Sequence, residues 1–174
     1  MSTTATQPTF TAEFAATYKD MMLGRIEHEH KTTRRVIENI PNQKLDYRHD
    51  PKGRTALELA HHIVVSEIWF LNSIADGRFD WKEPEPAHTV ADILAQYDRE
   101  FPKAMARAKK TTGEHLTKIT DFFGMKMPTF SFIQFCQDHT VHHRGQLSTY
   151  LRCMGGKVPD IYGGSADEPW QAGQ

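Results

Sequence analysis

Apolar positions recur along most of this chain at the spacing of helices. Leu23, Ile26, Thr33, Ile37 and Ile40 share one face of a helix predicted from about Thr11 to Ile40, which Pro41 stops. After a connection over 41–54 rich in Asn, Asp, Pro and Gly, Thr55 and Glu58 spell the S/T-x-x-E start of a second helix. It runs to about Ala75 and exits at Gly77. Residues 78–88 carry two prolines and read as a loop. Thr89 opens a third helix that closes near Thr112-Gly113, with a kink expected at Pro102. The stretch 114–128 fits either a short helix or an extended crossover. A fourth long helix is predicted from Pro128-Thr129 to about Met154, ended by Gly155-Gly156. Four long helices and no persuasive strand run make this an all-α four-helix bundle. Residues 1–10 read as a polar tail, 11–174 as one helical domain, and 157–174 as an irregular end held by Ile161, Tyr162 and Trp170. The mixed charges of Arg25-Ile26-Glu27-His28-Glu29 read as a solvated face.

With 174 residues, 21 Lys plus Arg against 22 Asp plus Glu, the net charge is −1. Nothing here resembles the basic surface that phosphate-backbone contacts need, so no nucleic-acid partner is expected. No segment reaches the roughly 20 apolar residues of a membrane span. No basic region followed by an apolar run opens the chain, so no secretory leader is expected. Cys136 and Cys153 fall in one predicted helix, about 25 Å apart along its axis, too far to bridge. A reducing cytoplasm is the compartment expected.

Histidine changes the picture. Of ten, five form two clusters, His61-His62 and His139, His142 and His143. His139 and His143 are one turn apart, amid a stripe drawn by Phe132, Cys136, Leu147, Tyr150 and Met154. Two imidazoles on an apolar face need partners, and a divalent ion, which takes neutral imidazole, supplies one. The bland alternative is a set of satisfied core histidines. His142 points about 60° off and reads either as a neighbour supporting the ligands or as solvent-facing. A third ligand must come from the second helix, where Leu57, Val64, Ile68, Leu71 and Ala75 define a stripe that includes His61 and leaves His62 on the polar side. Periodicity therefore favours His61, although a ligand on the polar side of the helix suits a cleft open to small molecules. Glu58 is a candidate base or simply the cap partner of Thr55. Cys136 either approaches the ion or packs as a small apolar residue. Gln146 and Tyr150 either orient a ligand or pack. Arg144 reads as structural or solvent-facing, and Gly145 as a site of close helix approach.

Three stretches resemble the DinB/YfiT-like metalloproteins. They are Arg54 to Ile63 (RTALELAHHI), His139 to Leu147 (HTVHHRGQL), and Tyr150-Leu151-Arg152 with Gly155 and Val158 to Gly163 (VPDIYG). The resemblance runs from about residue 20 to residue 168. It implies an up-down-down-up bundle with one long crossover and a divalent metal held by His62, His139 and His143, with His61 not a ligand. It also implies a homodimer and, from several relatives, thiol-dependent transferase or isomerase chemistry with a low-molecular-weight thiol. Three protein ligands leave coordination open, as in catalytic sites. Three imidazoles suit Zn, Ni, Fe or Cu. The expected function is thus a small metalloenzyme, a metal-dependent hydrolase or a thiol S-transferase. The alternative is a non-catalytic metal-binding or stress-related interaction protein.

Overall fold

The computed structural model describes residues 10–170. Helix α1 spans Ala12–Glu38, α2 Ala56–Asp76, α3 Val90–Lys109, α4 Gly113–Thr117 and α5 Ser131–Cys153. A 3-10 turn covers Asn42–Lys44, and strands β1 (Ile119–Phe122) and β2 (Met125–Pro128) form an antiparallel hairpin. The local sequence explains the starts. The side chains of Thr11, Thr55, Thr89 and Thr112 each accept a backbone N–H of the first helical turn. At α2 the capping box is complete, because Glu58 in turn accepts the Thr55 N–H at 2.7 Å. Gly77 ends α2 in the left-handed conformation, with φ of 69°. Helix α3 continues through Pro102, which faces solvent, so the Asp98 carbonyl that it leaves free can be hydrated.

Cross-helix pairs fix the topology. Lys19 donates to the Lys109 carbonyl and Arg34 to Asp98, so α1 and α3 are antiparallel. Tyr18 meets Gln134 and Glu29 meets Arg144, so α1 and α5 are parallel. Helix α2 is parallel to α3 through Glu67–Tyr97 and Asp76–Arg107. It is antiparallel to α5, since Arg54 lies by Tyr150 and Phe70 by Phe135. The bundle is up-down-down-up. Parallel neighbours cannot be joined by a tight turn, so the crossover 77–89 returns along the bundle. Extended, it reaches about 40 Å, more than the roughly 30 Å of a 20-residue helix such as α3.

The core is apolar at its centre, with Ile26, Ile63, Leu71, Ile74, Ile93, Phe132, Ile133 and Leu147 fully buried. Several positions depart from the pattern reading. The segment 114–128 forms α4 and the hairpin, so strands are present after all. Helix α5 begins at Ser131 rather than at Pro128-Thr129, because Thr129 closes the hairpin by donating its N–H to Lys118 O at 2.9 Å. Glu29, read as solvated, is buried and ion-paired to the buried Arg144 at 2.7 Å. The buried face of α5 carries Gln137, Thr140 and Arg144, which shifts His139 and His143 from the centre of the stripe to its flank. Nothing lies within contact distance of a side chain placed at Gly145, so the close approach expected there does not occur.

The tail reading of 1–10 falls outside the described residues except at Phe10, which packs on Phe14 and edge-on against Phe130. The segment after α5 is irregular. It is held by Ile161 against the core and by Tyr162, whose hydroxyl donates to Glu29 at 2.8 Å. Arg152–Asp167 and Arg35–Glu168 ion pairs add to this, whereas Trp170 is largely exposed. Among the described residues no helix is long and apolar enough to cross a membrane.

Candidate metal centre

Antiparallel packing of α2 on α5 sets His62 opposite the one-turn pair His139 and His143. One ring nitrogen from each of the three lies within 4.8 Å of the others. Ring centroids are 5.0 Å apart for His62–His139, 4.7 Å for His62–His143 and 4.5 Å for His139–His143. The Nε2 atoms of His62 and His143 are 3.3 Å apart. Two nitrogens bound about 2.0–2.1 Å from one tetrahedral ion lie about 3.3 Å from each other.

The outer nitrogens are engaged by neighbours on the same helices. Gln146, three residues after His143, brings Oε1 to 2.7 Å from His143 Nδ1. An amide oxygen only accepts, so Nδ1 carries the proton and the Nε2 lone pair faces inward. Ser66, one turn after His62, sits 3.3 Å from His62 Nδ1 and can accept in the same way. His139 differs, because its Nδ1 is buried and has no hydrogen-bond partner among the described residues.

Electrostatics keep the rings neutral. Burial above all holds His62 down to about 4, helped by the Arg54 charge and by His143 and His61. His139 falls to about 3, again mainly through burial, with His143 and His62 adding to it. Burial also lowers His143, with the Gln146 hydrogen bond opposing. Three half-buried neutral imidazoles with convergent lone pairs form a donor set suited to a divalent transition metal.

The rings line a cleft of about 1300 Å³. Its walls are the α1–α2 connection (Lys52, Arg54), the crossover (Trp81, Pro84) and the hairpin tip (Phe122, Phe123). Trp69 and Phe70 of α2 and Phe135 of α5 floor one end.

Other singled-out residues fall elsewhere. His61 also borders the cleft but stays outside the three-ring group. Periodicity favoured it on a stripe in which Leu57, Ile68 and Ala75 are only partly buried, whereas the buried face of α2 is centred on Ala60, Ile63, Glu67, Phe70 and Ile74. Glu58 has one carboxylate oxygen committed to the helix cap. Cys136 is fully buried, its Sγ 4.0 Å from the Glu67 carbonyl, and burial pushes its thiol well up. Tyr150 donates to the Arg54 carbonyl at 3.3 Å. His142 is exposed, its ring 4.8 Å from His143. Arg144 is structural and 1% exposed.

Sequence reasoning missed Ser66, Arg54, Trp81 and Phe123 as parts of this site. The i, i+4 spacing of His62 and Ser66 is a legible signal. The other three come from loops, whose folding back over the helices has no periodic signature.

The DinB family profile matches residues 1–172. YrdA of Bacillus subtilis (strain 168) is 30% identical over 154 residues, covering 87% of this chain and 91% of YrdA. YjoA of the same organism is 31% identical over 126 residues, covering 71% of this chain and 82% of YjoA. The crystal structure of YjoA, a DinB-like protein, superposes with a TM-score of 0.67 at 26% identity, covering 81% of this chain and 96% of that one. A DinB-like protein from Bacillus cereus ATCC 10987 superposes with a TM-score of 0.68 at 28% identity, covering 81% and 95%. With the profile spanning nearly its whole length and the bundle shared with both solved structures, the chain belongs to the DinB family.

Proposed function

We propose that His62, His139 and His143 hold one divalent metal ion, Zn, Ni or Fe, and that the protein is a small metalloenzyme, a hydrolase or a thiol S-transferase. The observation that carries this reading is the meeting of three neutral imidazoles from two helices beneath an open cleft. Bound there, the ion would supply Lewis acidity and lower the pKa of a water or thiol ligand.

The chain's own contributions are separable. Gln146 fixes the His143 tautomer and ring plane, and Ser66 can do the same for His62. Burial and the Arg54 charge keep the rings deprotonated at neutral pH, so their lone pairs are available. Aromatic walls at one end displace water from the space beside the rings. Glu58, one turn before His62, has one carboxylate oxygen tied to its cap.

One observation favours a second, metal-free reading. A chain from Ser66 O–H to His62 Nδ1, from His62 Nε2–H to His143 Nε2 and from His143 Nδ1–H to Gln146 satisfies four groups. It gives His139 no part, whereas the metal reading uses one nitrogen of that ring as a ligand. Elemental analysis of untagged protein separates the two. The expected result is about one ion per chain, falling below roughly a tenth in His62→Ala, His139→Ala and His143→Ala. Retention of metal by all three variants, or its absence from the parent, would overturn the proposal. A panel of thiol conjugations and ester hydrolyses, with and without metal, then tells enzyme from non-catalytic binder.

A further inference from the structure

The cleft is chemically two-sided. At one end Phe123 holds a backbone φ of 50° in the hairpin turn, a left-handed conformation that bulky L residues rarely adopt. Its ring is nevertheless 72% exposed, 6.4 Å from Trp69 and 5.1 Å from Phe122 by ring centroids. Across from it, Trp81 of the crossover is 37% exposed and meets Trp69 edge-on at 5.0 Å. The polar atoms of both indoles are spoken for, Trp81 Nε1 by Glu83 at 3.1 Å and Trp69 Nε1 by the Asp80 carbonyl at 2.9 Å. What remains toward the cleft is aromatic surface. The fold thus keeps an unfavoured turn that presents an aromatic ring to solvent at the cleft rim, an arrangement that points to a ligand.

At the other end stand Lys52 and Arg54. Among the described residues neither cation has a carboxylate within ion-pair distance. The acids that line the same cleft each have an oxygen committed locally: Asp50 accepts from Lys52 N at 2.8 Å, Glu58 from Thr55 N and Glu83 from Trp81. Arg54 is close enough for its charge to be felt at all three imidazoles. Positive charge is therefore available, and negative charge is partly engaged.

We propose that the substrate is a small amphipathic anion. Its flat apolar body lies between Phe123 and Trp81 over Trp69, and its carboxylate-like or sulfonate-like group reaches Arg54 and Lys52. The reacting bond then lies over the imidazoles. The placement of that bond rests on the metal reading, whereas the two-ended recognition does not.

Two fluorescent probes of one skeleton test it: 1-anilinonaphthalene-8-sulfonate and its uncharged analogue N-phenyl-1-naphthylamine, titrated into protein as purified and after chelation. The sulfonate is expected to bind about tenfold more tightly than the neutral probe, a difference that Arg54→Gln abolishes. Phe123→Asn and Trp81→Ala should weaken both probes. Asparagine tolerates the left-handed turn, so Phe123→Asn should lose binding while its Tm holds or rises, which a merely structural Phe123 would not do. Equal affinities for the two probes, a preference that survives Arg54→Gln, or binding unchanged in Phe123→Asn would each overturn the proposal. Metal content of the same samples is read separately. Metal present with no probe discrimination sinks only this inference, and discrimination without metal sinks only the metal reading.

Discussion

Two polar clusters interrupt the apolar interior, and they are built on opposite principles. Near the bundle axis, Glu29 pairs with Arg144, which also reaches Thr33 and Tyr162, while Glu67 accepts from Tyr97. All four of Glu29, Arg144, Glu67 and Tyr97 are buried. There charge is matched by charge or by a short-range donor, although Glu67 Oε1 has no partner among the described residues and Arg144 and Tyr162 border a smaller hollow of about 440 Å³. At the flank, the imidazoles are neutral and half-buried, their lone pairs converge, and they border a cleft. Paired charges serve cohesion, whereas neutral rings with convergent nitrogens beside a larger cleft are available for binding.

That contrast can be broken most forcefully at Arg144. Arg144→Ala leaves Glu29 buried without its partner and should cost about 3–5 kcal/mol in urea unfolding. The double change to methionine at Glu29 and Arg144 should recover most of that loss. By contrast, His139→Ala should abolish stoichiometric metal yet leave the Tm of chelated protein within a few degrees, because a half-buried neutral ring carries no charge to strand. A metal-free Tm that collapses in His139→Ala, or a double methionine variant no better than Arg144→Ala, would erase the distinction.

The clusters should also titrate in opposite senses. Burial raises Glu67 to about 7, against the hydrogen bond from Tyr97 that lowers it. A carboxyl raised in the folded state contributes stability below its unfolded pKa, and that contribution fades as pH climbs through about 7. Stability of chelated protein should thus fall toward pH 8 by up to about 3 kcal/mol, and Glu67→Gln should flatten that limb. The depressed imidazoles act the other way. They stabilise above about 6.5, their ordinary value, and lose that contribution as pH falls through about 4 for His62 and about 3 for His139. Replacing His139 with Phe should soften the acid limb and leave the alkaline one alone.

A finer probe is Gln146→Ala. It removes the acceptor that orients His143 while sparing every ring, and should weaken metal affinity about 10- to 100-fold. Competition with a chromogenic chelator measures it. An unchanged affinity would mean that Gln146 merely decorates the helix.

Much of the bundle was legible from local chemistry. Thr55 with Glu58, Thr89 and Gly77 announce helix ends by capping logic, and these are where the helices begin and stop. Glu29 and Arg144 were hidden because a charged residue in a polar neighbourhood looks solvated until its distant partner is known. The α4–hairpin stretch was ambiguous since Leu116, Ile119 and Phe123 keep the i, i+3, i+7 spacing of a helix while the residues from Ile119 onward form a hairpin. At the site, the i, i+4 pair on α5 was readable from spacing. The choice between His61 and His62 was not, because adjacent residues differ by only 100° and the cleft is made by loops that periodicity cannot place.

The crossover has a consequence for how such a scaffold diversifies. It is anchored by buried Phe79 at one end and Val90 at the other, and between them most side chains touch solvent. Because α2 and α3 run in the same direction, this ribbon must traverse the molecule whatever its composition, and its route borders the mouth above the imidazoles. Apart from Trp81 on Trp69 and Ala87 on the core, its middle residues pack little against the helices. The architecture therefore separates a helix-borne imidazole cluster from a loop that borders its cleft, and exchanging 80–88 between relatives tests whether that loop sets which guest binds.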